Sequence, residues 1–432
     1  MSNIESHTIA YVRGTMIPEQ DPPITETGAI KWLRENLFSG WFNTLLTILS
    51  LLIIWWSVAA IGPWLWNMVW NAGSLRECRE ILAGAEGACF AVINDRWHQL
   101  LFGFYPPALY WRPVLALILL FVALAPVLFP DLPRKLLWFS AVYPFVAYHL
   151  LWGGSVWLPI VALLGFVAGY VAWRLIHRMS PLASVFAAVI VPVLWWVILA
   201  APLNSFLYSG LPWGLDFVRS DRFGGFLISL VIGITGISIS LPLGILLALG
   251  RQSDMVFVKS VCVVFIEFIR GVPLITLLFT ASLLLNYFLP PGTSFDLILR
   301  VIIMVTLFAA AYMAEVIRGG LAALPRGQYE AADALGLDYW KAQRLIIMPQ
   351  ALKISIPGIV NTFIGLFKDT TLVVFIGLLD PIGLSNAIRA STDWQGVYWE
   401  LFIFIGLLFF VFCFGISRYS MYLERRLKTD HK

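Results

Sequence analysis

The chain has 432 residues, of which 60% are hydrophobic and only 12% charged, against about 45–50% and about 25% in soluble domains. A mean hydropathy of +0.84, with 19 Trp and 31 Phe, puts much of its surface against lipid and excludes a soluble enzyme, a disordered regulator and a nucleic-acid binder. The net charge of +4 is small, so its placement is the informative part.

Residues 1–40 are polar, with Pro22, Pro23 and charges of both signs. They lack a basic stretch running straight into an apolar one, so no cleaved signal peptide is expected. A helix crossing the hydrocarbon core needs about 20 mostly apolar residues. Ten stretches qualify: 41–62, 113–129, 136–152, 157–173, 184–201, 224–250, 260–289, 298–317, 356–376 and 398–417. No alternating pattern of about ten residues is present, which argues against a β-barrel. The sequence therefore predicts an all-α polytopic membrane protein with about ten transmembrane helices.

With the N-terminus in the cytoplasm, 19 of the 29 Lys and Arg fall in inside segments and 8 in outside ones, leaving Arg270 and Lys368 within spans. By the positive-inside rule both termini are cytoplasmic. The loop 63–112 is then outside, and its Cys78 and Cys89 face an oxidising compartment. They are a disulfide candidate, with two unpaired thiols as the alternative. Cys262 and Cys413 lie in or beside spans and read as packing residues. No Cys or His cluster has metal-ligand spacing, so no metal is expected. His149, within a span, reads as a hydrogen-bonded structural residue.

The first five spans contain no Asp, Glu, Lys or Arg. The last five hold or border Glu267, Arg270, Glu315, Arg318, Lys368 and Asp369. A charge in the bilayer costs roughly 2.5 kcal/mol or more, so such residues face a bundle interior or an aqueous path. Four segments follow: a cytoplasmic N-terminal segment 1–40, an accessory transmembrane region 41–223, a working core 224–417 and a cytoplasmic tail 418–432. The sixth span carries Gly225, Gly233, Gly236, Pro242, Gly244 and Gly250, which suit tight helix packing.

Residues 318–355 have the character of a folded loop. Good helix formers follow Pro325, Gly336 interrupts them, Asp338 can cap a second helix from Tyr339, and Pro349 is expected to stop it. A compact helical hairpin results, and its small Ala331, Ala332 and Ala334 invite contact with another surface.

Glu330-Ala331-Ala332, Gly336 and Ile346-Ile347-Met348-Pro349 together resemble the EAA loop of membrane subunits of ABC-type importers. Phe268-Ile269-Arg270-Gly271-Val272-Pro273-Leu274, Ala311 to Gly320, Leu366-Phe367-Lys368-Asp369-Thr370-Thr371-Leu372 and Ser417 to Leu427 are similar to the polar amino-acid permeases, covering about 224–427. Val272 departs from the Thr more usual there. The longer N-terminal half, with Asn36 to Leu45, looks like the longer membrane subunit of general L-amino-acid importers.

The resemblance implies a C-terminal five-helix type I importer core with a cytoplasmic EAA-loop hairpin, in the bacterial inner membrane. It implies four kinds of partner: a second homologous permease subunit, a dimer of ATP-binding subunits, a periplasmic amino-acid-binding protein and the L-amino acid itself. The chain has no Gly-x-x-x-x-Gly-Lys-Ser/Thr phosphate loop, so it is not the enzyme. No cofactor is expected on it, and ATP with Mg belongs on the partner ATPase. Gln328, Glu330, Ala331, Ala332, Gly336 and Pro349 are the expected coupling residues.

A zwitterionic substrate needs an acceptor for its ammonium and donors for its carboxylate. Glu315, Asn361, Lys368, Asp369 and Thr370 are the candidates for the path, with Lys368 and Asp369 placed near mid-span. Adjacent residues point about 100° apart on a helix, so one can line the path while the other pairs across helices, with Glu315 or Arg318. A polar lock between helices is the competing reading for all five. Arg270 reads as a cytoplasmic gate residue or an anchor snorkelling to headgroups. Two other functions compete: an ion-gradient-driven secondary transporter, which should show internal repeats, and a non-transporting sensor or scaffold.

Overall fold

The structure, a computed structural model, describes residues 28–284 and 296–427. The expectation of no signal peptide, the last residues of the stretch 260–289 and the end of the tail lie outside the described residues. Two compact units are present: residues up to Val69 with Glu80–Ala88, and Trp70–Arg79 with everything from Cys89 on.

The first unit holds α1 (Gly28–Asn36) and α2 (Trp41–Trp66). The 26 residues of α2 contain no charge and none is buried, as expected of a helix whose solvent is lipid. Its end is tied by Ala88 N–H donating to Trp64 O at 2.8 Å and Val69 N–H to Ala88 O at 2.8 Å. Helix α3 (Leu75–Leu82) runs across the division.

The second unit continues with α4 (Ala91–Phe102), α5 (Trp111–Leu128), α6 (Leu137–Trp152), α7 (Trp157–His177), α8 (Pro181–Leu194) and α9 (Ala200–Gly210). Gly154–Ser155 and Gly214–Leu215 form a two-residue antiparallel ladder. The core is α10 (Gly225–Gln252), α11 (Val256–Gly271), α12 (Leu274–Phe279), α13 (Leu297–Ala322), α14 (Arg326–Ala334), α15 (Tyr339–Ala342), α16 (Met348–Asp369), α17 (Pro381–Arg389) and α18 (Trp399–Leu427). Among the described residues eight helices are long and apolar enough to cross a membrane, or nine if one bent pair counts as a span. The expected stretch 136–152 is α6, a helix of 16 residues, about 24 Å long and short of a full hydrocarbon thickness.

Three local findings correct the sequence expectations. The stretch 260–289 is not one rod: α11 and α12 meet at 103°. Pro273 has no N–H to give, and it pushes Val272 out of the helical region, to φ −108° and ψ 131°. Pro349 does not end the hairpin's second helix. Residues Gln343–Ile347 widen into a π turn, with Met348 N–H donating to Gln343 O, so α15 runs on into α16. The wider turn absorbs the missing donor without a break. The last span does not stop at 417 either, since α18 remains helical to Leu427.

Small residues let the core helices close up. A Cβ on Gly244 would stand 2.7 Å from Met313 Cβ, so α10 and α13 touch backbone to side chain there. The hairpin occupies one end of the core. At the opposite, far end three chain segments cross on glycine. Gly103 (φ +68°) lies against Gly224, and Gly225 (φ +61°) lies against Leu100 O while its N–H donates to Leu379 O at 2.7 Å. At the hairpin end Arg426 pairs with Asp131 at 2.7 Å, and Tyr419 Oη donates to Leu128 O at 2.6 Å. The accessory helices α5 and α6 are thus pinned to the core through their connections.

The glycine crossing makes a stability prediction. A Cβ on Gly225 would lie 2.4 Å from Leu100 O at a positive φ. Gly225→Ala is therefore expected to cost about 3 kcal/mol, from steric conflict and a left-handed backbone together. Gly406→Ala, where a Cβ meets nothing within 4 Å, is expected to be silent. Thermal unfolding in detergent compares the two.

Candidate functional site

The hairpin turns at Gly336, which sits at φ +67°, a backbone region open to glycine at little cost. Asp338 caps α15 by accepting Lys341 N–H at 2.9 Å. Its root is pinned where Gln350 Nε2 donates to Gln328 Oε1 at 3.0 Å. Ala332 is buried, against the expectation that it faces outward, whereas Glu330, Ala331 and Gly336 are exposed. The tip presents Leu335, Tyr339 and Trp340, 73%, 53% and 66% exposed. Sequence reasoning passed over these three as a surface, although an aromatic pair in an otherwise polar loop was the signal.

At the same end the charges meet. Glu315 accepts from Arg318 of its own helix, with Nε at 2.8 Å. It also pairs with Arg251 at 3.3 Å and Arg270 at 3.7 Å, and Arg251 pairs in turn with Glu267 at 2.8 Å. Arg270 lies over the Tyr312 ring at 5.5 Å. One carboxylate therefore ties together the ends of α10, α11 and α13, and Arg270 belongs to that cluster.

The expected cross-helix partnership of Lys368 or Asp369 with Glu315 or Arg318 is not formed. Among the described residues no ion pair involves Lys368 or Asp369. Lys368 is also not at mid-span. Because α16 starts at Met348 rather than 356, Lys368 lies towards the far end, and its neighbour Phe367 stacks edge-on with Phe226 in the first turn of α10 at 5.9 Å. Lys368 and Asn361 are both exposed and, seven residues apart, share one face of α16. Asp369 is half-buried. Thr370 turns into the core, 1% exposed, with its hydroxyl donating to Phe367 O at 2.7 Å.

At the far end Cys78 and Cys89 are joined in a disulfide with Cα atoms 6.0 Å apart. His149 Nδ1 is buried without a hydrogen-bond partner, contrary to the hydrogen-bonded role expected of it. A cavity of about 420 Å³ opens between the connector 217–223 and the starts and ends of core helices. Its Arg219 and Asp221 pair with each other at 2.9 Å, and its Asp296 is occupied in capping α13.

Asp380 caps α17 from a fully buried position, its Oδ1 accepting Gly383 N–H at 2.8 Å. Burial pushes its carboxyl up from the ordinary 3.8 to about 6. Between those values the folded state holds a proton that the unfolded state has released, so stability falls as pH rises through that window. The loss is complete above pH 6, at about 3 kcal/mol. Asp380→Asn is expected to leave stability unchanged at pH 4 and raise it at pH 7.5, as read from unfolding midpoints.

The sequence matches the model of the binding-protein-dependent transport system inner membrane component over residues 240–429. It is also 62% identical over 430 residues to the glutamate/glutamine/aspartate/asparagine transport system permease protein BztC of Rhodobacter capsulatus, covering 98% of this chain and 99% of that protein. The chain belongs to this family of inner membrane transport components. The inner membrane amino-acid ABC transporter permease protein YhdY of Escherichia coli is 40% identical over 93% of this chain and 94% of its own length. The glutamate/aspartate import permease protein GltK of Escherichia coli is 32% identical over 51% of this chain and 96% of its own length. Membership settles the choice left open by the sequence: this inner membrane component is an ABC-type permease, and the ion-gradient-driven alternative falls. The family match covers the charge cluster, the hairpin and Lys368, and leaves the accessory region outside it.

Proposed function

We propose that this chain is the longer of two permease subunits in an ATP-driven importer for L-amino acids with acidic or amide side chains. The observation that carries the reading is Lys368, an exposed cation within an apolar span, sharing a face with Asn361 and paired with no carboxylate of this chain among the described residues. An unpaired charge within an apolar span is tolerated where it lines an aqueous path. An ammonium there suits a carboxylate, and Asn361 can donate to the same ligand or accept from its ammonium group. The substrate class rests on the similarity to BztC, a glutamate/glutamine/aspartate/asparagine permease, and GltK, a glutamate/aspartate permease. Thr370 and Glu315 have other duties and drop from the path. Asp369, half-buried and about 100° around the helix from Lys368, is left off that face, and Asn361 is the acceptor for the substrate ammonium.

In this reading the hairpin end is cytoplasmic and the far end periplasmic. The Lys and Arg surplus supports the first assignment, and the disulfide supports the second. The tip formed by Leu335, Tyr339 and Trp340 docks on a dimer of ATPase subunits, which hold the ATP and Mg. Closure of that dimer pulls the hairpin. The Glu315 cluster then carries the pull to α10, α11 and α13 together, and the cavity shared with the second permease alternates between its two faces. A periplasmic amino-acid-binding protein delivers the substrate. Competition for labelled glutamate uptake tests the substrate class. Aspartate, glutamine and asparagine should compete and arginine should not, and equal competition by arginine would refute it.

A further inference from the structure

Residues 74–79 and 89–105 lie outside the family match, yet they are fastened to the far end of the core at four points. Leu75 N–H donates to Asp393 O at 2.7 Å. Trp394, fully buried, donates from Nε1 to Asp95 Oδ2 at 2.9 Å. Glu400, in the first turn of α18 and 7% exposed, accepts Cys89 N–H at 2.8 Å. A carboxylate there is favoured by the helix dipole but is costly to bury without a donor, so this bond across 311 positions of sequence is a specific tie. The fourth point is the crossing of Gly103 on Gly224. The Cys78–Cys89 disulfide closes the segment on itself, with both cysteines buried.

The fastened elements are the starts of α10 and α18, and a ring cluster lies just beneath them. Phe226 of α10 meets Phe409 and Phe412 of α18 at 5.3 and 4.8 Å, and Phe367 meets the same two at 5.5 and 6.0 Å. Phe367 is thus wedged between α10 and α18, and the next residue is Lys368. We propose that residues 74–79 and 89–105 are a clasp that sets the spacing of α10 and α18 and, through Phe367, positions Lys368 for the transported amino acid. The inference rests on the importer reading. The clasp residues are positioning residues; they do not touch the substrate.

The test uses the complete complex in proteoliposomes, with labelled glutamate as the probe. Cys78→Ala/Cys89→Ala and Glu400→Gln are each expected to raise KM about tenfold, the scale of one lost hydrogen bond, with ATP hydrolysis in the absence of binding protein within about twofold of the parent. Adding Leu75→Cys/Asp393→Cys to the first variant supplies a second tether at the same place, and its oxidation should restore KM. Hydrogen exchange over 399–412, read in the same samples, should speed up when the clasp is opened and slow again with the tether. Unchanged KM with unchanged exchange overturns the proposal. So does a tethered form no better than the untethered one, including the case in which neither assembles. A parent complex without ATP-driven uptake would instead refute the importer reading, and the exchange comparison would still decide the clasp.

Discussion

Lys368→Met is expected to cut uptake about 30-fold or more while the complex assembles and hydrolyses ATP. Removing one partner of a desolvated charge pair costs roughly 2–5 kcal/mol, and tenfold corresponds to about 1.4 kcal/mol. Folding should be spared, because Lys368 is exposed and makes no ion pair among the described residues. Lys368→Arg should retain part of the activity, since charge is kept and shape is not. Uptake in vesicles, with complex stability checked by gel filtration, separates a ligand from a polar lock. A lock would lose assembly, whereas a ligand would lose only flux.

The second large effect is at the hairpin. Leu335→Asp with Trp340→Ala is expected to release the ATPase and abolish uptake, while the chain's own unfolding midpoint stays put. Both side chains are mostly exposed, so little of the fold depends on them. A central Trp in an interface carries about 2–4 kcal/mol, and introducing a charge into the same contact adds to the loss. Co-purification of the ATPase is the readout. Retained binding with lost transport would place the coupling elsewhere on the chain. Substitution of Gly336 by a bulky residue acts differently: a Cβ there meets nothing within 4 Å, so its cost of about 1–2 kcal/mol is the left-handed backbone alone.

Spans, hairpin and class were legible in the sequence because each rests on local signals. Apolar runs fix helices, Gly336 and Asp338 fix a turn and a cap, and neither needs a distant residue. The break at Val272–Pro273 was also local, and counting apolar residues alone hid it. Pro349 misled in the opposite direction, because a π turn can accommodate a missing donor that an α turn cannot. Pairings were the illegible part. Glu315 and Lys368 both read as charges in spans, and only packing assigns one to a five-residue cluster and leaves the other open. Nothing near Cys89 in sequence points to Glu400, and nothing near Gly103 points to Gly224. The accessory half, free of charges in its spans, reads as an inert lipid-facing layer. Its connector instead holds a fully buried run, Cys89–Ile93, packed against the core.

The central claim is that this chain moves amino acids only as part of an ATP-driven complex. Proteoliposomes should contain this chain, its partner permease, the ATPase and the binding protein, with ATP sealed inside. The account predicts uptake of labelled glutamate that requires both the trapped ATP and the external binding protein, and that persists when proton and sodium gradients are collapsed. Uptake by this chain alone, driven by an ion gradient without ATP, would contradict it.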